Sequence, residues 1–255
     1  MSGRPTGLVT LITGASAGLG AEFARACSAR GEALVLVARR RDRLEALAAE
    51  LGNAHVVAMD LGEAGAAARL IAEVAALGLS VRTLINNAGF GLAGKFADLP
   101  VERQRAMIDL NAGALTELSR LVLPAMLARR DGAILNVAST AAFQPGPGIA
   151  VYFASKAYVL SFSEALHQEL KGSGVRVSAL CPGPTATEFG DVAGMKSARF
   201  DRFAADAASV VAAGLKGLDR NKAVVVPGLM NKAMAQSGRI IPRAAMRRMV
   251  AALKL

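Results

Sequence analysis

Gly7-Leu8-Val9-Thr10-Leu11-Ile12-Thr13 runs directly into Gly14-Ala15-Ser16-Ala17-Gly18-Leu19-Gly20, and a helical pattern continues through Arg30. An apolar strand, a glycine-rich turn and a helix, in this order, are the context in which a phosphate-binding loop forms. Glycines let the backbone turn sharply and approach a pyrophosphate closely, and the helix N-terminus offers unpaired N–H groups. We therefore predict that the loop binds a dinucleotide through Gly14, Ser16, Ala17, Gly18, Leu19 and Gly20.

Strands and helices alternate along the rest of the chain. Six further apolar strands are predicted, at Ala33–Ala38, His55–Met59, Val81–Ile85, Ala133–Ala138, Gly174–Leu180 and Ala223–Val226. Helical spacing is found at Arg41–Leu51, near Glu63–Leu77, at Val101–Arg130, where Pro124 could introduce a kink, and at Tyr152–Leu170. This alternation predicts an α/β fold with a doubly wound, seven-stranded parallel sheet, helices on both faces and a single domain.

Composition is typical of a large α/β protein from a reducing compartment. Of the 255 residues, 53% are hydrophobic, which is enough for a sizeable core. Cys27 and Cys181 lie within apolar patterns and predict buried thiols without a disulfide. We find no signal peptide and no apolar stretch long enough to span a bilayer, so we expect a cytoplasmic protein. His55 and His167 are isolated, and no metal is expected.

The positive charge of the chain is unevenly spread. The formal net charge is +10, and the segment from Met230 to Leu255 contains no acid and six cationic residues, which are Lys232, Arg239, Arg243, Arg247, Arg248 and Lys254. Such a surface can attract anionic cofactors, nucleic acid or membranes. We do not expect nucleic acid as a partner, because the segment lacks interleaved aromatic residues and any recognised binding module.

Two arginines at the end of the second predicted strand indicate the type of dinucleotide. In a dinucleotide-binding fold this strand end faces the adenosine ribose, where an acidic residue would bind the two hydroxyls of NAD. Arg39 and Arg40 suit the 2′-phosphate of NADP(H) instead, so we predict NADP(H) in preference to NAD(H). The alternative is that these arginines form the solvated start of the next helix.

Polar and small residues also follow the third and fourth strands. Asp60, before Leu61, could accept a hydrogen bond from the adenine amino group, cap the next helix, or do both. The sequence Asn86-Asn87-Ala88-Gly89 combines small residues, which permit close approach to a flat sugar and base, with amides that can tie neighbouring strands. The predicted cofactor contacts in these two loops are Asp60, Leu61, Asn87, Ala88 and Gly89.

The helix that opens with Tyr152-Phe153-Ala154-Ser155-Lys156 carries a candidate proton donor. Positions four apart lie on one helix face, so Tyr152 and Lys156 are predicted neighbours. A free phenol has a pKa of about 10, which an adjacent ammonium would lower toward neutrality. Taken alone, Tyr-x-x-x-Lys is also a common helix pair with an exposed lysine.

With these residues assembled, the chain resembles the short-chain dehydrogenase/reductase family over roughly residues 7 to 227. The motifs that carry the resemblance are Thr13-Gly14-x-x-x-Gly18-x-Gly20, Asn86-Asn87-Ala88-Gly89, Asn111, Ser139, Tyr152-x-x-x-Lys156 and Pro182-Gly183-x-x-x-Thr187. The resemblance implies a Rossmann-type sheet and hydride transfer between NADP(H) and a carbonyl or alcohol.

The resemblance also implies a role for each matching residue. Tyr152 would be the general acid for carbonyl reduction, or the base for alcohol oxidation, and Ser139 would polarise the substrate oxygen. Lys156 would lower the pKa of Tyr152 and bind the nicotinamide ribose, while Asn111 would hold a water in a proton relay. The residues expected at the nicotinamide are Pro182, Gly183, Thr185 and Thr187, although many members have a branched apolar residue in place of Thr185.

Three variable segments are predicted to surround the reacting carbonyl. They are Phe90–Phe96, Ala141–Ile149 and a lid over residues 188–203. We expect an apolar substrate because of the side chains that would line the site, which are Phe90, Phe143, Phe189, Val192 and Met195.

Residues 228–255 are predicted to form a basic, amphipathic extension. Met246, Met249, Val250 and Leu253 would share one helix face. Such a helix packs on the body or on a partner subunit, or it lies in a membrane interface.

Together these patterns predict an NADPH-dependent carbonyl reductase that is reversible as an alcohol dehydrogenase. Two alternatives stay open. One is a reductase of long-chain 3-ketoacyl or ketosphingoid lipids at a membrane surface, and the other is a non-catalytic NADP-binding regulator. A homodimer or homotetramer is expected, because in the similar family the helices that contain Asn111 and Tyr152 often form the subunit interface.

Overall fold

Seven parallel strands form one sheet. The computed structural model describes residues 7–194, 204–238 and 240–252. The strands are β1 (Gly7–Thr13), β2 (Ala33–Ala38), β3 (Ala54–Ala58), β4 (Leu79–Asn86), β5 (Gly132–Val137), β6 (Val175–Leu180) and β7 (Val224–Val225). Their spatial order is β3-β2-β1-β4-β5-β6-β7. The number of strands and their parallel arrangement confirm the predicted fold.

Helices connect successive strands and continue beyond the last one. They are α1 (Gly18–Ser28), α2 (Arg41–Leu51), α3 (Ala66–Ala76), α4 (Val101–Ile108), α5 (Leu115–Arg129), α6 (Ala150–Glu169), α7 (Phe189–Ala193), α8 (Ala207–Asp219), α9 (Leu229–Ser237) and α10 (Arg243–Ala252). Short 3-10 turns cover Phe96–Asp98 and Thr140–Phe143. Within the described ranges, no helix is both long enough and apolar enough to cross a membrane.

Both faces of the sheet are covered by helices. Successive residues of a strand point to opposite faces, so neighbours in β1 join different parts of the core. Leu11 packs in a buried cluster with Leu118 of α5, while Ile12 packs with Phe23 of α1 on the other face. The continuous apolar runs of the central strands are therefore explained by burial on both sides.

The strand order reverses beside β1, whose neighbours are β2 and β4. In open α/β sheets, ligands bind in the crevice outside the carboxyl ends of the strands at such a point. The predicted site segments all leave the sheet at this edge. They begin at Gly14 after β1, Arg39 after β2, Met59 after β3, Asn87 after β4, Ala138 after β5 and Cys181 after β6.

Two helices differ from the prediction. α3 begins later than expected, because Gly65 before it adopts φ 72°, a left-handed conformation that does not continue a helix. The helix expected over Val101–Arg130 is divided by a π-helical turn at Asp109–Ala114 rather than at Pro124, which lies within α5. Such turns occur frequently at functional sites.

Candidate active site

Ser139, Tyr152 and Lys156 lie together beyond the carboxyl end of β5. The Ser139 hydroxyl accepts a hydrogen bond from the Ala141 N–H at 3.1 Å, which orders the turn that follows. Tyr152 and Lys156 occupy the first turns of α6, on one face. Both are almost fully buried, with 8% and 5% exposure. Ser139 also acts to lower the pKa of the Tyr152 phenol, which places the two hydroxyls near each other.

A series of buried polar side chains fixes α6 against the sheet. Asn86 of β4 donates to Asn136 Oδ1 of β5 at 2.9 Å, and Asn136 donates to the Ser163 hydroxyl of α6 at 2.9 Å. Because buried polar groups are stable only when paired, these bonds define how α6 sits on β5 and where Tyr152 lies. Asn136 and Ser163 are absent from the predicted site, although a lone amide in an apolar strand signals such a bond.

Lys156 is held by the main chain of β5. Its Nζ donates to the Val137 carbonyl at 2.8 Å and lies 5.8 Å from the centroid of the Tyr152 ring. Burial lowers the pKa of Lys156 to about 8, because the charged form loses its hydration. A Cβ on Gly89 would lie 3.5 Å from this Nζ and 2.9 Å from Asn111 Oδ1, so residue 89 must stay small.

Burial also determines the protonation of Tyr152. It raises the pKa of the phenol to about 12, while the nearby Ser139 hydroxyl acts in the opposite direction. The expected lowering of this pKa by Lys156 is not found for the protein alone, where desolvation of the phenolate raises the pKa and the lowering contribution comes from Ser139. A phenol that stays protonated at neutral pH is in the form that can donate a proton to a carbonyl oxygen.

Asn111 lies in the π-helical turn and is fully engaged by the protein. Its Oδ1 accepts from the Phe90 N–H and its Nδ2 donates to the Phe90 carbonyl, both at 3.0 Å. The same Nδ2 donates to the Ser155 hydroxyl at 3.1 Å, and Ser155 donates to the Tyr152 carbonyl at 2.7 Å. Asn111 therefore joins the loop after β4 to the start of α6. The role in holding a water stays a prediction.

The glycine-rich loop after β1 leaves no space for side chains at its glycines. Gly14 and Gly18 adopt φ 67° and 53°, which favour glycine. A Cβ on Gly20 would lie 2.1 Å from the Gly14 carbonyl oxygen, and one on Gly18 would lie 3.1 Å from Thr187 Cβ. The first turn of α1 has no acidic residue and no side-chain cap. Its N–H groups and partial positive charge are therefore suited to a pyrophosphate.

The remaining predicted residues of this loop have different surroundings. Ala17 immediately precedes α1 in an extended conformation. Leu19 packs against the cluster that contains Phe23, so its side chain belongs to the edge of the core. The Ser16 hydroxyl faces Arg40, at the opposite end of the crevice from Tyr152.

The loop after β4 is tied to the end of β1. Thr13 Oγ1 accepts from the N–H groups of Asn87 and Ala88 at 3.0 and 2.9 Å. Asn87 Nδ2 donates back to the Thr13 carbonyl at 2.9 Å. A Cβ on Gly14 would lie 2.9 Å from Ala88 Cα. These contacts close the crevice floor between the two loops, as expected of small residues and strand-tying amides.

Cationic side chains gather where β2 ends. Arg40 donates to the Ser16 hydroxyl at 3.3 Å from Nε and at 3.2 Å from Nη2. Arg40 Nη1 donates to Glu188 at 3.2 Å, and Arg43 Nη1 donates to the other Glu188 oxygen at 2.6 Å. Hydrogen bonds from these arginines, with Arg43 the larger cause, lower the pKa of Glu188. Arg43 and Glu188 are further residues that the sequence alone does not single out.

Asp60 and Leu61 follow β3. Asp60 Oδ1 accepts from the Gly62 N–H at 2.9 Å, and Oδ2 lies 3.7 Å from Arg39 Nη1. The capping alternative for Asp60 is wrong, because Gly65 precedes α3 and the bond of Asp60 stays within its own turn. The Leu61 side chain is buried in the core, which leaves its main chain for the predicted cofactor contact. The side chain of Arg39 is 75% exposed.

The segment after β6 reaches from the catalytic residues to the glycine-rich loop. Pro182 is buried, and the Ser139 hydroxyl donates to the Pro182 carbonyl at 3.5 Å. Thr185 Oγ1 donates to the Gly183 carbonyl at 3.0 Å. Thr187 lies next, opposite the glycine-rich loop. The segment that contains the four predicted nicotinamide residues thus runs from Ser139 to Gly18 of the glycine-rich loop.

Known proteins are similar to this chain in sequence and in overall structure. The family model of the short chain dehydrogenases matches residues 8–197. The chain belongs to the short-chain dehydrogenase family. It is 39% identical over 186 residues to sulfoacetaldehyde reductase 2 of Chromohalobacter salexigens, in an alignment that covers 71% of this chain and 74% of that protein. It is 37% identical over 188 residues to the NADP-dependent 3-hydroxy acid dehydrogenase YdfG of Escherichia coli K12, which covers 72% and 76%. A solved short-chain dehydrogenase from Sphingobium yanoikuyae, in complex with NADPH, aligns with a TM-score of 0.81 at 35% identity over 91% and 93% of the two chains.

In this short-chain dehydrogenase, two segments form an apolar wall beside Tyr152. The Phe189 ring centroid lies 5.3 Å from that of Tyr152, and Phe90 packs in the same cluster. A Cβ on Gly91 would lie 3.0 Å from the Phe189 ring. The Ala93 N–H donates to the carbonyl of Ala193, the last residue of α7, at 2.9 Å. The start of the predicted lid is therefore packed on the loop after β4.

The other predicted substrate residues are not seen in this wall. Phe143 belongs to a different cluster, which also contains Phe162 and Val226. The side chain of Val192 and the whole of Met195 lie outside the described part of the chain, as does the rest of the predicted lid from residue 195 to 203.

The C-terminal helix packs on the site. Met246 and Val250 of α10 are 5% and 2% exposed and belong to the same cluster as Tyr152. Met249, expected on their face, is 54% exposed, and Leu253 lies outside the described residues. Of the alternatives predicted for this helix, the structure shows packing on the body of the protein. The sequence signals the apolar face but not what that face covers.

Proposed function

We propose that this short-chain dehydrogenase is an NADPH-dependent carbonyl reductase, reversible as an alcohol dehydrogenase. The observation that carries the proposal is the buried, protonated phenol of Tyr152, which lies near Ser139 and stands one helical turn from Lys156. A proton donor, a hydroxyl that can polarise an oxygen and a cation are the groups that carbonyl reduction requires.

The crevice fits NADP(H) along its length. The tight glycine turn and the uncapped N-terminus of α1 suit a pyrophosphate. Arg39 and Arg40, with Ser16 between the loop and the arginines, suit a 2′-phosphate. The relative from Escherichia coli is named NADP-dependent and the Sphingobium structure contains NADPH, which supports the same cofactor here. When bound, NADPH supplies the hydride.

Residues of the protein would donate the proton and stabilise the charge that develops during the reaction. In reduction the carbonyl carbon gains the hydride and its oxygen gains the phenolic proton of Tyr152, which leaves an alcohol and a tyrosinate. Ser139 stabilises the charge that develops on the oxygen, and Lys156 stabilises the tyrosinate. Solvent then reprotonates Tyr152. Oxidation follows the same steps in reverse, with the tyrosinate as the base.

We propose an apolar carbonyl compound as the substrate, because Phe90 and Phe189 line the site beside Tyr152. A second class of substrate, small anionic aldehydes or ketones, is favoured by the positive charge of Arg103. Its guanidinium lies 5.2 Å from the centroid of the Phe90 ring. The relatives named for sulfoacetaldehyde and for 3-hydroxy acids are consistent with that class.

The outer surface of the C-terminal segment supports one further candidate, a long-chain lipid reductase at a membrane surface. Leu229, Met230 and Ile240 are 84%, 74% and 86% exposed, and Lys232 is exposed between them in sequence. Sedimentation with vesicles of anionic lipid tests this candidate. Recovery in the supernatant at low salt, with and without vesicles, would exclude it.

We also propose a homo-oligomer that forms through the outer faces of α5 and α6. Leu121, Leu127 and Tyr158 are 40%, 39% and 44% exposed on these helices, and such apolar side chains could pack against a second copy of the chain. Light scattering after size exclusion should give at least twice the chain mass of 26.2 kDa. A monomer at micromolar concentration would contradict the proposal.

The test of the proposed function is NADPH oxidation, followed by absorbance, across a panel of carbonyl compounds with NADH in parallel. The panel contains small ketones and aldehydes, anionic aldehydes, ketoesters, steroids and long-chain 3-ketoacyl compounds. We expect turnover with apolar carbonyls and a kcat/KM at least about tenfold higher with NADPH than with NADH. Tight NADPH binding without turnover on any compound would contradict the proposal and favour the non-catalytic regulator.

A further inference from the structure

We infer that α10 is a wall of the substrate pocket and that Met246, on its inner face, limits the size of the carbonyl compound that reaches Tyr152. The inference rests on the proposed function, since it concerns the substrate of the same site. It gives a role to a segment that lies beyond the residues matched by the family model, which end at residue 197.

One apolar cluster connects α10 to the catalytic tyrosine. Its buried members are Met107, Ala141, Ile149, Tyr152, Phe153, Met246 and Val250. Phe90 and Phe189, which form the wall beside Tyr152, pack on the same cluster, and so does Ile241 just before α10. Because contacts in a protein interior are close-packed, a change of volume at Met246 is felt by the other side chains of this cluster.

The distribution of apolar and cationic residues on α10 determines which side of the helix faces the site. Met246 and Val250 are four residues apart, so they lie on one face, and they are 5% and 2% exposed. The exposed residues of the helix include Arg243, Arg247 and Arg248. A guanidinium is strongly favoured in water, so rotation that brought these arginines inward would be costly. The apolar face of α10 is therefore held toward Tyr152.

The segment before α10 anchors it to the cofactor side of the crevice. A Cβ on Gly183 would lie 2.5 Å from Asn231 Oδ1, so α9 is in close contact with the Pro182-Gly183 motif. A Cβ on Gly238 would lie 3.1 Å from the Phe143 carbonyl oxygen, in the turn that follows Ser139. The C-terminal pair of helices thus spans the site from the nicotinamide end to Tyr152.

The size of the methionine side chain at position 246 suits a wall that limits the pocket. The side chain is unbranched and fills irregular gaps, so it occupies space that a bulkier substrate would need. Replacement by alanine leaves a space that a bulkier substrate can occupy, because a hydrophobic pocket discriminates by about tenfold or more for each methylene that fits or fails to fit.

The experiment compares Met246→Ala with Met249→Ala, which makes the same change at an exposed position of the same helix. The first readout is kcat/KM with NADPH for a small ketone and for a bulky aryl ketone. The second readout needs no turnover and is the calorimetric Kd of both ketones in the presence of NADP⁺, which cannot reduce them. Met246→Leu, which nearly conserves volume, and the Kd for NADPH report whether the fold is kept.

We expect Met246→Ala to raise the ratio of bulky to small ketone by about tenfold in kcat/KM and to tighten binding of the bulky ketone by a similar factor. Met249→Ala should stay within about twofold of the unmodified protein. Equal ratios in Met246→Ala and Met249→Ala would overturn the inference while the proposed function stands. No turnover in any form of the protein, together with a Kd shift for Met246→Ala, would overturn the proposed function and keep α10 as a wall. If Met246→Ala loses NADPH binding, an unchanged ratio in Val250→Ala would overturn the inference.

Discussion

The two ends of the crevice are built in opposite ways. At the carbonyl end, Tyr152 and Lys156 are 8% and 5% exposed, and buried side-chain hydrogen bonds fix the helix that carries them. At the adenosine end, Arg40 and Glu188 have side chains that are 42% and 48% exposed and pair with each other. At the carbonyl end, the catalytic side chains are buried and held in fixed positions. At the adenosine end, the charged side chains are exposed to solvent, where their interactions are weak and screened by salt. Substitutions should therefore have large, salt-independent effects at one end and small, salt-dependent effects at the other.

Apart from the replacement of Tyr152 itself, the largest effect is expected for Ser139→Ala. This change removes the hydroxyl that lies near Tyr152 and would stabilise charge on the substrate oxygen. We expect kcat for carbonyl reduction to fall by about 10²- to 10³-fold, with the Kd for NADPH unchanged. Steady-state kinetics and a binding titration measure the two quantities. Ser139→Thr keeps a hydroxyl and should recover part of the activity, and a kcat of Ser139→Ala near the original value would remove Ser139 from the mechanism.

The next largest effect is expected for Lys156 and concerns how the free energy of unfolding changes with pH. Its pKa is lowered to about 8 in the folded protein from an ordinary value of 10.5, so between these values the unfolded chain binds more protons. Stability therefore rises as pH increases through this window, and Lys156→Met should lack that rise. The unfolding free energy of the original protein should gain of the order of 2 kcal/mol relative to Lys156→Met between pH 8 and 10.

Urea denaturation of both proteins at several pH values measures this difference, and Lys171→Met, in the loop after α6, serves as a control. The measurement should stop at pH 10, because the raised pKa of Tyr152 adds an opposite slope above it. Parallel stability curves for the original protein and Lys156→Met would show that Lys156 is not desolvated.

A smaller effect is expected at the arginines that follow β2. Arg39→Asp should shift the ratio of kcat/KM for NADPH and NADH by about tenfold or more toward NADH, because a charge-assisted bond to the 2′-phosphate is lost. Arg40→Ala should shift it in the same direction, since Arg40 bonds Ser16. Kinetics with both cofactors at two salt concentrations measure the ratios. An unchanged ratio in both variants would mean that other groups recognise the phosphate.

Glu188→Gln should have the smallest effect. The Glu188 carboxylate occupies Arg40 and Arg43, so a neutral amide would release both for a phosphate. We expect the Kd for NADPH to fall by about twofold at low salt and the difference to vanish at high salt. Glu45→Gln makes the same charge change at the Glu45–Arg41 pair of α2 and should not alter the Kd. Weaker NADPH binding in Glu188→Gln would mean that Glu188 supports the site instead of competing for it.

This contrast also explains what could be predicted from the sequence. The seven strands and the position of Tyr152 beside Lys156 follow from local patterns, apolar runs and helical spacing, which tertiary contacts reinforce. Glu188 could not be assigned because its partners Arg40 and Arg43 are far away in sequence and meet it only across the crevice. The pKa of Tyr152 could not be predicted because the helical pattern gives its neighbour but not its desolvation. The same holds for Met246, whose amphipathic helix is visible in the sequence while the surface it covers is not.

The most direct test of the account compares Tyr152→Phe with Tyr158→Phe. Tyr158 is the second of the two tyrosines, lies on the same helix, and is 44% exposed with its hydroxyl bonded to Thr116. Single-turnover reduction of the best carbonyl substrate by bound NADPH reports the chemical step alone. The account predicts that Tyr152→Phe slows this step by at least about 10³-fold with NADPH binding intact, while Tyr158→Phe stays near the original rate. A rate for Tyr152→Phe within about tenfold of the original protein would contradict the assignment of Tyr152 as the proton donor.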